Sequence, residues 1–542
     1  MPAAKAQETT PYDFVIKNAL IFDGVSEQGT YADVGIRAGK IAAIGDIAVE
    51  QAEEMIDVEG LVLAPGFIDA HTHSDFNPMV YEGMHNKIQQ GVTTEIVGNC
   101  GMAAVPVMDG NAELIHGVWA REGVILPAAI PWEELSDYRE TLKTAGMSNH
   151  FAILAGHGNI RQAVMGNQAR KPTAAEQTQI EILAEGAMKQ GAVGISFGLG
   201  YVPGTFADRD EIAGICRVVA RYQGVCSFHI RSESSELLEA IREVLQIGEA
   251  SGVRLQISHL KAGGEKNWYK IDEVFKLIDA ARERGVIVYA DAYPYTASYA
   301  ELGVTLPSRY YEREDRVEFF QDPANHPEIA QALHEAYGEN SSKWRNTLIA
   351  NIADESFKDL EGKTLEEIAA LWQVEPQEAL VELLAKTSFE VSAFSFSQSE
   401  DVIRRVFQQE YVMVGSDSIA DGTLYPHPRA FGSFPKYLSE YTQGENGLPL
   451  GEAIRHITSL PAEQFGLTGR GRVAVGYYAD LVIFDPETLR DRATYQNPSV
   501  SPAGIHWVFL DGQPVVQNGE LTGLKEGEVL LRENESQTAD PV

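Results

Sequence analysis

The chain has 542 residues, 43 basic against 78 acidic, and a formal charge of −35, a balance that argues against nucleic acid and anionic membrane surfaces as partners. Apolar residues make up 44% of it and aromatic residues 9%, ordinary values for a globular protein with a sizeable core. Three cysteines, Cys100, Cys216 and Cys226, are too few for a disulfide framework; residues 1–8 contain no apolar leader and no apolar run is long enough to span a bilayer, so the expectation is a cytoplasmic protein.

Residues 14–22, 33–37 and 40–45 read as short strands separated by Asp-Gly and Ala-Gly turns, and residues 480–485 and 507–512 repeat that style at the other end. Small β segments at both ends and none of that character between them predict a β-sandwich built from residues 1–62 and 466–542. The stretch between, 63–465, alternates apolar strand-like runs with amphipathic segments. Eight strands are expected, at 63–71, 93–100, 151–157, 192–197, 225–229, 254–259, 286–293 and 411–417. Eightfold alternation of strand and helix is the signature of a (β/α)8 barrel of the TIM type. The rival, a doubly wound sheet, lacks a glycine-rich dinucleotide fingerprint after an early strand. More than a hundred residues separate the seventh and eighth strands, far beyond an ordinary connection. A capping box at Thr364-Leu365-Glu366-Glu367 and apolar spacing through Leu380, Leu383 and Leu384 predict an inserted helical subdomain over about 300–395, beside the mouth of the barrel.

Metal-type side chains fall at the C-terminal ends of these strands. His71 and His73 end the first, Cys100 the second, His229 the fifth, His259 the sixth and Asp417 the eighth. Residues two apart on an extended strand share a face, which sets His71 beside His73. A strand-end histidine alone is most often a satisfied polar group, but the C-terminal ends of barrel strands meet at one mouth, and six such residues on five strands form a metal site. Cys216 and Cys226 lack that context and read as small buried residues. His157, at the end of the third strand, reads either as a support for the site or as substrate-facing.

On segments 66–75, 98–101, 156–161, 198–207, 227–233, 257–264, 291–298 and 415–417 with His427-Pro428-Arg429, the chain resembles the amidohydrolase superfamily, and within it the N-acyl-D-amino-acid deacylases. The superfamily often bridges two metals with a carboxylated lysine on strand four; this strand four, 193–197, has no lysine, and Cys100 occupies the strand-two position that the deacylase branch uses. The resemblance implies one tightly bound Zn2+ held by Cys100, His229 and His259, and a second, weaker metal position lined by His71, His73 and Asp417. It implies hydrolysis of a small N-acyl-D-amino acid by metal-activated water. Asp417 serves as base and then acid, His71 or His73 helps to stabilise the oxyanion, and Lys261, Tyr293, Arg429 and Ser298 meet the α-carboxylate. An amidohydrolase of the hydantoinase or dihydroorotase type, acting on cyclic or linear amides, and a non-catalytic barrel scaffold are the alternatives. Substrate side chain, acyl length and oligomeric state are not encoded in any motif.

Overall fold

The computed structural model describes residues 11–48, 52–81, 85–108, 110–121, 124, 126–313, 315–338, 341–419 and 426–532; residues 1–8, on which the leader expectation falls, and the last ten residues of the 466–542 segment lie outside them. Eight parallel strands pair in chain order: β1 (Phe67–Asp69), β2 (Val92–Val97), β3 (His150–Gly156), β4 (Gly194–Gly198), β5 (Val225–His229), β6 (Arg254–Ile257), β7 (Val288–Ala292) and β8 (Val412–Val414). β1 to β4 are buried at every position, the pattern of strands covered on both faces. The ring closes between its ends: the Ala70 amide donates to the Val414 carbonyl at 3.1 Å and the Asp417 amide to the His71 carbonyl at 2.7 Å. This is a (β/α)8 barrel. Helices pack outside it by their apolar stripes. In Leu237–Ser251 the buried residues Leu237, Ile241, Val244, Leu245 and Gly248 recur at helical spacing, and the helix stops at Gly252 with φ 69°.

All eight expected strands are present, but the first is broken. Residues 62–65 pair with Leu481–Phe484 in the terminal sheet, and β1 begins only at Phe67. Gly66 makes the crossing: its amide donates to the Asp480 carbonyl at 2.7 Å, and a Cβ there would lie 2.2 Å from the Thr93 hydroxyl. The two chain ends share one nine-stranded hydrogen-bonded sheet. Phe14 and Phe509 sit on strands three places apart in its order, about 14 Å in a flat sheet, yet their rings meet at 5.1 Å. The sheet therefore folds over on itself as a small sandwich around Phe14, Ile16, Leu63, Leu481 and Phe509. Phe67, wholly buried, joins it to the barrel by contacting both Phe434 and Phe484.

Two expectations need correction. The segment 466–542 does not stay within the terminal sheet, because Val529–Leu530 pairs in parallel with Phe151–Ala152 at the start of β3. The insertion is not purely helical. Alongside helices such as His326–Tyr337, Leu365–Trp372 and Pro376–Lys386 it contains an antiparallel sheet of Ala297–Glu301, Val391–Phe396 and Thr347–Ile352, with a hydrophobic core of its own. The capping box forms as read: Thr364 Oγ1 accepts from the Glu367 amide, and the Glu367 carboxylate accepts from the Thr364 amide.

Candidate metal centre

Three of the predicted metal-site residues lie on backbone that L-residues seldom adopt: Cys100 has φ 53°, His259 φ 37° and Asp417 φ 51°. Each follows the last residue of its strand by two or three positions, and the left-handed turn aims the side chain back over the mouth. Such conformations cost on the order of 1–3 kcal/mol each and persist only where their surroundings enforce them. Here the Asp417 amide is held by the His71 carbonyl at 2.7 Å, the His259 amide by Asp291 Oδ1 at 2.7 Å, and the Gly101 amide, next to Cys100, by Ser196 Oγ at 2.9 Å. Gly415 leaves room for this packing; a Cβ there would lie 2.5 Å from Cβ of His71.

Cys100 Sγ lies 3.7 Å from His229 Nδ1 and 3.5 Å from His259 Nε2, and those two nitrogens are 2.9 Å apart. Tetrahedral zinc, with Zn–S near 2.3 Å and Zn–N near 2.0–2.1 Å, asks for S···N edges of about 3.6 Å and an N···N edge of about 3.3 Å. The sulfur edges match and the nitrogen edge is short by a few tenths of an ångström, so the donor set fits zinc. Burial pushes the Cys100 thiol up, but the charges of His71 and His259 outweigh it and hold the thiol well below its ordinary range, favouring the thiolate that binds metal. The second predicted group is contiguous with the first. Nε2 of His71 and of His73 both lie 3.4 Å from Asp417 Oδ1, and His71 Nε2 lies 3.4 Å from Cys100 Sγ. The thiol thus stands between the two positions.

Of the predicted substrate residues, the structure brings three together. Arg429 Nη1 lies 2.8 Å from Asp417 Oδ2, and its guanidinium sits over the Tyr293 ring at 4.7 Å; Lys261 Nζ approaches the same ring at 5.7 Å. All three side chains are buried. Tyr293 Oη and Arg429 Nε and Nη2 have no hydrogen-bond partner among the described residues, so the clamp presents donors without acceptors, a reason to expect an anion there. Burial opposes ionisation of Asp417, but the charges of Arg429 and His259 prevail and hold its carboxyl well below the ordinary range. The His427 ring fixes the approach to Arg429: Nδ1 accepts from the Arg429 amide at 3.0 Å and Nε2 meets the Ala297 carbonyl at 3.0 Å. Ser298 lies on the insertion's sheet, its hydroxyl 3.5 Å from the Ser395 carbonyl and its neighbour Ala297 against the His427 ring.

His157 is wholly buried. Its Nε2 lies 2.9 Å from Glu211 Oε1, its ring packs on Phe197 at 4.9 Å, and Glu211 also pairs with Arg161, all buried. Cys216 and Cys226 are buried neighbours with sulfurs 2.9 Å apart. Two carboxylates escape a strand-end search. Glu233 Oε1 lies 2.6 Å from His259 Nδ1, and Asp291 Oδ1 lies 3.2 Å from His71 Nδ1; metal-binding histidines use such partners to fix ring and tautomer. Glu233 follows His229 by four residues, and Asp291 lies inside β7, where an inward acid in an apolar strand is the available signal. A cavity beside Cys100 is walled by Met102, Trp119 and Tyr201 and, from the insertion, by Glu301, Tyr311 and Arg316.

Residues 54–516 match the amidohydrolase family. The chain is similar to a D-aminoacylase of Alcaligenes xylosoxydans xylosoxydans, 34% identical over 525 residues, which is 97% of this chain and 99% of that one. Its fold is similar to that of the N-acyl-D-glutamate deacylase of Bordetella bronchiseptica, solved with zinc and a phosphonate inhibitor that mimics the tetrahedral intermediate (TM-score 0.81, 32% identity, 96% of this chain and 100% of that one). It is equally similar to a D-aminoacylase studied for the role of its binuclear metal centre, activated by one metal and attenuated by a second (TM-score 0.81, 34% identity, 96% and 100% covered).

Proposed function

The chain belongs to the amidohydrolase family, and from that premise we propose that it hydrolyses the amide bond of N-acyl-D-amino acids, releasing a carboxylate and a free D-amino acid, with zinc as its metal. One observation carries the reading: a Cys-His-His donor set of zinc dimensions shares its mouth with a buried clamp of Arg429, Lys261 and Tyr293. We assign the tight metal to Cys100, His229 and His259, and a weaker second position to His71, His73 and Asp417. Zinc in the tight position supplies a Lewis acid for the amide carbonyl and lowers the pKa of water from 15.7 toward roughly 7.

The remaining steps belong to side chains. The clamp takes the α-carboxylate, Arg429 by its fork, Lys261 as a point charge and Tyr293 through its hydroxyl. That contact fixes which face of the scissile amide meets Asp417. Asp417 accepts the proton of the attacking water and passes it to the nitrogen of the leaving amine, one carboxylate acting as base and then acid. His71 and His73, with Nε2 atoms aimed at the same point, favour negative charge developing on the carbonyl oxygen. The absence of a lysine from β4 and the presence of Cys100 favour this reading over a hydantoinase or dihydroorotase type, and the full ligand set with Asp417 favours it over an inert scaffold. Among the described residues no helix is long and apolar enough to cross a membrane; three free thiols suit a reducing compartment, and we place the enzyme in the cytoplasm. Assay of N-acetyl-D- and N-acetyl-L-amino acids on metal-analysed protein tests the reading. Release of free amine from D-substrates is expected, and no hydrolysis of any of them overturns it.

A further inference from the structure

Two donors converge on one oxygen at the boundary between the metal site and the clamp. Glu233 Oε1 lies 2.6 Å from His259 Nδ1 and 2.5 Å from Lys261 Nζ, and Lys261 Nζ lies 2.9 Å from the same Nδ1; with Nε2 turned to the metal residues, Nδ1 carries the ring proton, so both groups donate to Oε1. The opposite nitrogen of the same ring, His259 Nε2, faces Cys100 Sγ and His229 Nδ1. Lys261 reaches the other way, toward the ring of Tyr293 that Arg429 also covers. Glu233 is not free to wander, since its carbonyl accepts from the Gly263 amide at 2.7 Å, which ties its loop to the one that carries Lys261. Its carboxylate therefore touches one metal-site residue and one clamp residue through the same atom.

We propose that Glu233 is a positioning residue that couples occupancy of the clamp to the affinity of the metal site. An oxygen shared between an ammonium and an imidazole N–H gives each a weaker hydrogen bond than it would give alone. When an anion takes the ammonium of Lys261, Oε1 is left to His259 Nδ1–H, and the ring becomes a stronger donor to metal through Nε2. By linkage, a carboxylate-bearing ligand then tightens metal binding, and the metal tightens that ligand by the same factor. Glu233 also lies within reach of a metal held by His229 and His259; the coupling assigns it the partner's part because it meets the ring at Nδ1, on the side away from Cys100. The inference deepens the deacylase reading and rests on it for the identity of the anion.

The test is the zinc affinity of the holoenzyme by competition with a chelator. Wild type, Glu233→Gln and Lys261→Met are compared, each alone, with D-leucine, or with D-leucinamide, which lacks the carboxylate. D-leucine is expected to tighten zinc in wild type by about fivefold or more, and D-leucinamide is not. Glu233→Gln should bind zinc roughly 10–100-fold more weakly and show no response to D-leucine. Lys261→Met should bind zinc more tightly than wild type without any ligand, because Oε1 is then left to His259 alone. Unchanged zinc affinity in Glu233→Gln, a D-leucine response that survives in it, weakened zinc in Lys261→Met, or no response in wild type each overturns the coupling. Glu233→Asp, which keeps a carboxylate, should recover part of the affinity and so separates this role from a folding defect. If no D-substrate is hydrolysed, the deacylase reading falls, while the ligand-free zinc affinities of the two variants still decide the part played by Glu233.

Discussion

Arg429 Nη1 lies 2.8 Å from Oδ2 of Asp417, so the residue assigned to the substrate's carboxylate also holds the carboxylate assigned to proton transfer. The pair keeps Asp417 ionised, and it also makes Asp417 a poor base while the site is empty. A bound carboxylate competes for the arginine fork and weakens the pair; burial, which alone would raise the Asp417 pKa, then works in favour of proton uptake. On the proposed reading, base strength should rise when substrate is in place.

Arg429→Ala follows from that relationship. Loss of the fork should raise KM by about tenfold or more, since a charged hydrogen-bonded contact is worth roughly 1.5–3 kcal/mol. With Arg429 gone, the charge that lowers the Asp417 carboxyl is absent while its burial persists, so the acid limb of kcat/KM should move to higher pH. Zinc content should change little. A pH–rate profile alongside metal analysis checks both; an acid limb that stays in place would show that Arg429 does not set the state of Asp417.

Asp417→Asn should keep its zinc at the tight position, because Cys100, His229 and His259 are untouched, while turnover drops by roughly 10²–10⁴-fold. Metal analysis and single-turnover assay of the same preparation separate the two effects. Near-wild-type turnover would transfer the proton to another group, and loss of zinc would make Asp417 part of the tight site.

Cys100→Ser should lower zinc affinity steeply, since it replaces a soft thiolate by a neutral hydroxyl at the junction of both positions. Chelation of wild type should abolish activity and added zinc should restore it, whereas the variant should need much higher free zinc. Equal zinc requirement in both proteins would remove Cys100 from the ligand set.

The barrel was legible because its strands are buried on both faces and stand out as apolar runs, and the candidate metal residues could be picked out because each follows such a run. Glu233 and Asp291 were not, since their importance depends on which loop lies beside which: Glu233 acts through His259, 26 residues further along the chain. Val529–Leu530 is too short to show a strand period. The insertion's sheet draws its strands from 297 to 396, and only tertiary contact reveals their pairing. Gly66, which sends one apolar run into two different sheets, reads in sequence as an ordinary turn glycine.

Glu211 tests the buried charge cluster that it forms with His157 and Arg161. Asp208 caps its helix, Arg209–Arg221, by accepting from the Glu211 amide, and the carboxylate of Glu211 lies buried between His157 Nε2 and Arg161. Burial opposes its ionisation, but the hydrogen bond from His157 and the charges of His157 and Arg161 prevail, so the folded pKa lies below the ordinary 4.5. Less proton is then bound in the folded than in the unfolded state, and the stabilisation is present in full above the unfolded pKa and lost as pH falls through it toward the folded value. Glu211→Gln leaves Arg161 buried without its counter-ion, which should cost roughly 3–5 kcal/mol at neutral pH. The variant carries no titratable group there, so the gap in Tm between the two proteins should be widest near pH 7 and narrow as pH drops below about 4.5. Thermal melts of the zinc-loaded proteins across that range measure it. A gap that stays constant through acid pH would mean that the buried pair is held by shape rather than by charge.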